Sequence, residues 1–346
     1  MSGRVRAQGE RVRQFILDNV GAHESDLVAH VAGKFSITRQ AVNKHLQKLN
    51  EQGAMANEGT TRAPRYRLTT TETLSFSYPI RPGLAEDRVW ARDIKPTIDH
   101  LPGNVLNIWN HGFTEMFNNA IDHAGASKID IGIARTAITT TITVTDDGVG
   151  IFRKIQRELD LLDERQAIFE LSKGKLTTDP KRHSGEGIFF TSRMFDHFAI
   201  LSGGLLFDHR REARTAADAR LERAPADAGT RVVMELNNHT ARTTKKVFDE
   251  FSSGDDYGFT KTVVPVDLAN YGQDELVSRS QAKRVLARVD LFETVVFDFK
   301  GVDAIGQAFA DEIFRVFAND HPDIRLVPVH MSKAVEQMVK RAIAKA

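Results

Sequence analysis

Between residues 115 and 230 the chain carries polar and glycine residues in an order and spacing that few folds satisfy. Glu115 and Asn119 stand four apart in the segment Glu115-Met116-Phe117-Asn118-Asn119-Ala120-Ile121-Asp122-His123. That spacing places both on one helix face, with Asp122 one step further along. Val105, Ile108, Trp109, Phe113, Met116, Phe117 and Ile121 supply the apolar stripe of the same long helix. Two alternating segments at 128–134 and 138–145 predict strands, and the second runs into Asp146-Asp147-Gly148-Val149-Gly150-Ile151. Residues 153–184 read as a polar stretch. Ser184-Gly185-Glu186-Gly187-Ile188 then opens another helix, and Gly229-Thr230 starts a strand at 230–236. Singly, each of these is as compatible with a plain turn or a solvated helix surface as with a site. The order and spacing together are the signal.

Taken jointly, the residues resemble the ATP-binding domain shared by gyrase-type topoisomerases, heat-shock chaperones, histidine kinases and mismatch-repair ATPases, over residues 100–238. The resemblance implies an α/β sandwich with helices on one face of a mixed sheet, holding ATP with Mg²⁺ under a mobile lid. It makes Asn119 the Mg²⁺ ligand, a neutral oxygen suited to a hard ion that keeps most of its waters. Glu115 becomes the base that activates water, within hydrogen-bond or one-water reach of the attacker. Asp146 accepts the adenine amino group, Thr230 supports Asp146, and Gly148 and Gly150 let the backbone approach the base. Gly185 and Gly187 bring backbone N–H groups and a helix N-terminus to the phosphates. Asp122 completes the expected nucleotide contacts. Lys173, Lys175 and Lys181 fall in the lid and read as solvated loop residues.

Net charge is +1 overall, but it is unevenly placed. Residues 1–68 hold eleven Lys/Arg against six Asp/Glu, a balance of +5, while the rest carry thirty-six against forty. A basic head on a weakly acidic body suggests that one module meets a polyanion. Within the head, Thr38 can cap a helix whose Val42, Leu46 and Leu49 share one face and whose polar face carries Arg39, Gln40, Asn43 and Lys44. Residues 54–68 read as two short strands with Arg62, Arg65 and Arg67 around the turn. The segment resembles a winged helix-turn-helix of bacterial transcription regulators. That resemblance puts Thr38, Arg39, Gln40, Asn43 and Lys44 against DNA bases or backbone, and Arg62 and Arg65 on the wing. Use of the same surface for protein docking stays open.

Residues 69–99 and 239–258 read as linkers, and 209–228 as a charged hairpin tip. Residues 259–346 repeat strand and helix, with elements expected at 259–266, 278–289, 294–299, 307–317, 324–329 and 332–343. They resemble a STAS-like domain, the small α/β fold of anti-sigma-factor antagonists. The turn Val302-Asp303-Ala304-Ile305-Gly306-Gln307 has no hydroxyl where such antagonists carry a phosphorylatable Ser or Thr. Asp298, Asp303 and Asp311 read as caps or solvated acids, and Ser278 as a helix cap.

The chain has no cysteine, which excludes disulfides, thiolate metal sites and thiol catalysis. No apolar run reaches membrane-span length, and the first twenty residues lack a signal-peptide pattern, so a cytoplasmic protein with no membrane contact is expected. The expectation is an α+β multidomain protein: an ATP-responsive DNA-binding regulator and weak ATPase. It forms a homodimer, ATP-dependent in one version, and docks a protein partner through the STAS-like domain. Two alternatives remain: a serine/threonine kinase related to anti-sigma-factor kinases, and a DNA-acting defence or repair ATPase.

Overall fold

The computed structural model describes residues 2–58, 60, 63–176, 185–210, 220–223, 229–253, 258–269 and 275–344. Two compact units emerge, one of residues 1–76, 132–142 and 236–239, the other of 77–131, 143–235 and 240–346.

The first unit begins with three helices, α1 (Ser2–Asn19), α2 (Leu27–Phe35) and α3 (Arg39–Glu51). β1 (Met55–Asn57) and β2 (Tyr66–Leu68) follow as an antiparallel pair with Met55 opposite Leu68. Thr38 is extended and its hydroxyl accepts Ala41 N–H at 3.2 Å, so α3 starts at Arg39. Val42, Leu46 and Leu49 are buried with Val12, Ile16, Val20, Leu27 and Val31, and Ile138 joins the same core. Each such side chain, fully buried, contributes roughly 1.5–3 kcal/mol, which outweighs any intrinsic helix propensity in a helix this short.

The expected linker at 69–99 is structured. It holds β3 (Glu72–Pro79), α4 (Glu86–Val89), a π-turn at Trp90–Ile94 and α5 (Lys95–Ile98). Leu74 and Phe76 are half-buried and Tyr78 is buried, with exposed Ser75 and Ser77 between them. That is a period-two strand whose Ser/Thr content masks the alternation. Val89, Trp90, Ile94 and Ile98 are buried, and Tyr78 donates to Asp93 at 2.7 Å.

Next come α6 (Gly103–His123), β4 (Lys128–Arg135), β5 (Thr139–Asp146), α7 (Ile151–Glu158), α8 (Glu164–Lys173) and α9 (Gly187–Met194). They are followed by β6 (His197–Ser202), β7 (Leu205–Arg210), β8 (Arg220–Arg223) and β9 (Thr230–Asn237). The seven strands order as β3-β4-β5-β9-β6-β7-β8, with β6 antiparallel to both β7 and β9. Along β5, Thr140, Ile142, Val144 and Asp146 are buried, while Thr139, Thr141, Thr143 and Thr145 are half-exposed. One side of the strand is therefore made for a core and the other for solvent. The same alternation delivers Asp146 to the strand end on the buried side.

Residues 153–184 differ from the expected polar stretch, since α7 and α8 occupy much of it. Every residue from Gln166 to Lys173 is buried. With Gln166, Glu170, Ser172 and Lys173 inside together with the apolar residues, α8 has no amphipathic pattern to read. Most of the charged insertion, 211–219 and 224–228, lies outside the described residues.

The second expected linker, 239–258, contains α10 (Thr244–Phe251), capped by Thr243. Then come β10 (Ser252–Ser253), β11 (Gly258–Phe259), β12 (Lys261–Pro265), α11 (Arg279–Leu286), β13 (Thr294–Asp298), α12 (Gln307–Asp311), a π-turn at Glu312–Phe317, α13 (Ala318–Asp320), β14 (Arg325–Val329) and α14 (Lys333–Ile343). β12, β13 and β14 form a parallel sheet in that order, with Val263, Val296 and Val327 in register. Ser278 caps α11 in a reciprocal capping box with Gln281. The molecule is thus α+β, with antiparallel and parallel pairing. No helix of the described residues is long and apolar enough to cross a membrane.

Candidate functional site

A cavity of about 300 Å³ opens within the second unit, lined by α6, β5, α7, α9, β6 and β9. Its walls are largely apolar, with Met116, Val144, Ile151, Ile155, Ile200 and Val232 facing in. An apolar slot with a few convergent polar groups is what a flat heteroaromatic ligand requires.

The polar groups come from four elements. Asp146 ends β5 and is 7% exposed. Its Oδ1 accepts Gly148 N–H at 2.9 Å and Thr230 N–H at 3.2 Å. Both amides use one oxygen, so Oδ2 is the acceptor left for a ligand. Burial pushes the Asp146 carboxyl above the usual range, and the two amides oppose that push. Thr230 in turn accepts Ile151 N–H on Oγ1 at 3.0 Å, tying the start of α7 to the start of β9. Gly150, with φ at +87°, makes the bend into α7 that a side chain would strain.

Glu115 and Asn119, one turn apart on α6, both line the cavity. Gly185 and Gly187 line it from the other side. A Cβ on Gly187 would fall 2.0 Å from Glu115 Oε2, so a larger residue there would make the Glu115 carboxylate swing away from the first turn of α9. Gly185 also accepts Leu176 N–H at 3.1 Å through its carbonyl.

Two expected contacts are not in the cavity. Asp122 is exposed and does not line it. Gly148 does not line it either: its N–H is held by Asp146, and the neighbouring Val149 N–H is bonded to Ala124 O at 2.9 Å. Lys173 corrects the solvated-lid expectation, since it is fully buried and bonded to Glu170 at 2.8 Å. Lys175 donates to Leu291 O at 2.7 Å. Lys181 lies outside the described residues.

Lys154 and His123 line the cavity without having been expected there. Lys154 Nζ donates to His123 O at 2.9 Å, a cation set on the C-terminal end of α6. Its place three residues after Ile151, on the inward side of α7, was the available signal. Asp147 has a different task from its neighbour. Ser127 Oγ, Ser127 N–H and Lys128 N–H all donate to it, lowering its carboxyl to about 2 and pinning the start of β4.

Among the described residues no three His, Asp or Glu side chains group as a metal site. The cavity fits Mg²⁺ only in the form that brings its own ligands, with Asn119 added to nucleotide oxygens and waters.

In the first unit, Arg39, Gln40, Asn43 and Lys44 are exposed along α3, and Arg65 is exposed just before β2. Thr38 is exposed as well, but its hydroxyl is engaged as the cap. Arg67 pairs with Glu58. Arg62 lies outside the described residues. A groove runs beside α3, lined by Arg39, Asn43, Gln47 and Asn50 with Asn57 and Tyr66 of the strand pair. Gln47, Asn50 and Asn57 line this groove but were not among the expected contacts.

Residues 86–205 match a family model described as a histidine kinase-like ATPase domain, and residues 281–336 one described as a STAS-like domain of unknown function (DUF4325). No curated protein matches the chain. The middle of the chain is therefore similar to a histidine kinase-like ATPase domain, a class that implies ATP binding, and its C-terminal part is similar to a STAS-like domain. The first match contains Glu115, Asn119, Asp146, Gly150, Gly185 and Gly187, and stops short of Thr230.

Proposed function

We propose that this chain is a regulator that binds ATP with Mg²⁺ in the cavity and DNA through residues 1–68, a winged helix-turn-helix by resemblance. The observation that carries the nucleotide half is Asp146, a buried carboxylate with one oxygen saturated by two amides and the other free at the end of an apolar slot. A carboxylate so placed accepts from the exocyclic amine of adenine and disfavours a base with a carbonyl there. Asn119 holds the Mg²⁺, which supplies positive charge against the phosphates when bound. Glu115 is placed to take the proton of an attacking water, and the first turn of α9 presents N–H groups to phosphate oxygens. Slow hydrolysis then resets the state that ATP favours. ATP-favoured dimerisation belongs to the same proposal.

The DNA half rests on the +5 balance of residues 1–68 and on a groove of Arg and amide side chains, the residue types that read guanine and adenine edges. Its test is selection of DNA from a random pool by the full-length chain with ATP·Mg²⁺, followed by affinity measurement across salt. A recovered sequence motif and a steep loss of affinity with salt are expected. A salt-insensitive interaction, or no enrichment, would overturn the DNA half. Labelled γ-phosphate should appear as free phosphate; label on protein would instead identify a kinase.

A further inference from the structure

The C-terminal domain grips the chain at the point where it becomes the cavity wall. Leu176 and Phe189 both line the cavity. The three residues before Leu176 each give their backbone carbonyl to a donor from the C-terminal segment. Thr262 Oγ1 donates to Lys173 O at 2.6 Å, and Arg288 donates to Gly174 O at 3.2 Å and to Lys175 O. The side chains return the grip. Lys173 Nζ donates to Glu170 Oε1 at 2.8 Å and to the carbonyls of Arg284 and Ala287, at 3.2 and 2.9 Å, where α11 ends. Arg288 reaches the second oxygen of Glu170 at 3.3 Å. Lys175 Nζ donates to Leu291 O and stands 4.7 Å from the Phe292 ring centre. Phe259 packs between Phe189 and Phe292, with ring centres 4.5 and 5.1 Å away.

Stability alone is a poor reason for such a joint. Buried ion clusters are often matched or bettered by apolar packing of the same volume. What directional bonds to three successive residues do provide is a fixed path for the backbone. That path leads at once to the site: Leu176 N–H bonds to Gly185 O at 3.1 Å, and Gly187 sits against Glu115.

We propose that Arg288 and Lys173 are positioning residues of the nucleotide site, through which the STAS-like domain sets the backbone at Leu176 and hence ATP affinity. This rests on reading the cavity as an ATP site. The C-terminal domain is then a working part of that site, and a ligand that shifts residues 284–291 alters ATP affinity, with the reverse holding by linkage.

Lys173 also gives the coupling a signature in pH. Burial lowers its ammonium to about 8, with Glu170 opposing and Arg288 adding to the shift. As pH rises through that value Lys173 loses its charge and one of the three N–H groups that engage Glu170 and the carbonyls of Arg284 and Ala287. Glu170 on α8 and Arg288 beyond α11 are the charged groups that face it.

The test is ATP·Mg²⁺ calorimetry on full-length Arg288→Met, Lys173→Met and Val339→Ala. Val339→Ala, at a buried position of α14, is a control that loosens the same domain without touching the joint. Arg288→Met should bind ATP at least about fivefold more weakly while Val339→Ala stays at the wild-type value. Wild-type affinity should fall between pH 7 and 9, and that fall should be lost in Lys173→Met. If Arg288→Met and Val339→Ala both melt earlier but bind ATP as the wild type does, the joint is structural only and the inference fails. If the wild type itself binds no ATP, the site reading fails first and this inference with it.

Discussion

Asp146→Asn separates recognition from stability with a single atom exchange. The two amides that now donate to Oδ1, from Gly148 at 2.9 Å and Thr230 at 3.2 Å, select the orientation of the new side chain. Asn keeps its carbonyl oxygen there, which forces its NH₂ group into the place of Oδ2, facing the ligand. A charge-assisted acceptor becomes a donor pointed at the adenine amino group, itself a donor. Loss of the charged bond costs about 1.5–3 kcal/mol and the unpaired donors about 1–3 more. A total of roughly 2.5–6 kcal/mol corresponds to about two to four decades in Kd. The fold should respond in the opposite sense. Burial holds the Asp146 carboxyl above its ordinary value, so the ionised form is a cost to the native state at neutral pH. The neutral amide removes that cost, and the apo Tm should be equal or higher. Calorimetry with ATP, and with inosine triphosphate in which a carbonyl replaces the amine, completes the assay. The variant should lose ATP and gain relative preference for the inosine nucleotide. Near wild-type ATP affinity, or equal loss of both nucleotides, would refute the reasoning.

Glu115→Gln should keep ATP affinity within a few-fold yet lose turnover, because a base is needed for the chemistry and not for the ground state; persisting phosphate release would assign water activation elsewhere. Asn119→Ala should weaken ATP binding and make it insensitive to Mg²⁺, read by titrations with and without EDTA. Acidification should weaken ATP binding from a pH above the ordinary aspartate range, because Asp146 carries a raised folded-state value. Its stabilising contribution has the opposite course, present at low pH and lost as pH rises through that value. Asp146→Asn should lack this component of the profile, and an identical profile in the variant would remove Asp146 from the binding step.

The candidate cavity was legible to the extent that its residues are tied to local spacing. Glu115 and Asn119 declare themselves by a four-residue interval, and Asp146, Gly150, Gly185, Gly187 and Thr230 by their places at element ends. The cavity contains all of them. Lys154 and His123 were hidden because each is an unremarkable residue on its own helix and acquires a role only where α6 and α7 converge. Asp122 shows the reverse error: adjacency to Asn119 in sequence carried it into the expected site, but on the helix it turns to solvent.

In the fold, the strands and helices of the C-terminal repeat were readable from alternation and helical period alone. The elements within 69–99 and 239–258 were not, and in the first of these Ser, Thr and Pro content was taken for linker. Leu74, Phe76 and Tyr78 already carried the strand signal there. α8 was unreadable for a deeper reason. Glu170 and Lys173 are buried with partners distant in sequence, Arg288 and the carbonyls of Arg284 and Ala287, which satisfy part of their polar groups. No local pattern records such partners.

The central claim is that ATP and DNA occupancy report on each other in one molecule. The most direct measurement is a closed thermodynamic cycle on the full-length chain, with its selected DNA site and a non-hydrolysed ATP analogue with Mg²⁺. DNA affinity is measured with and without the analogue, and analogue affinity with and without the DNA. The account predicts a coupling of about fivefold or more, equal in both directions as linkage demands, and absent in Asp146→Asn. Two affinities that do not change at all, with both ligands bound, would contradict it and leave an ATPase domain and a DNA-binding head that merely share a chain.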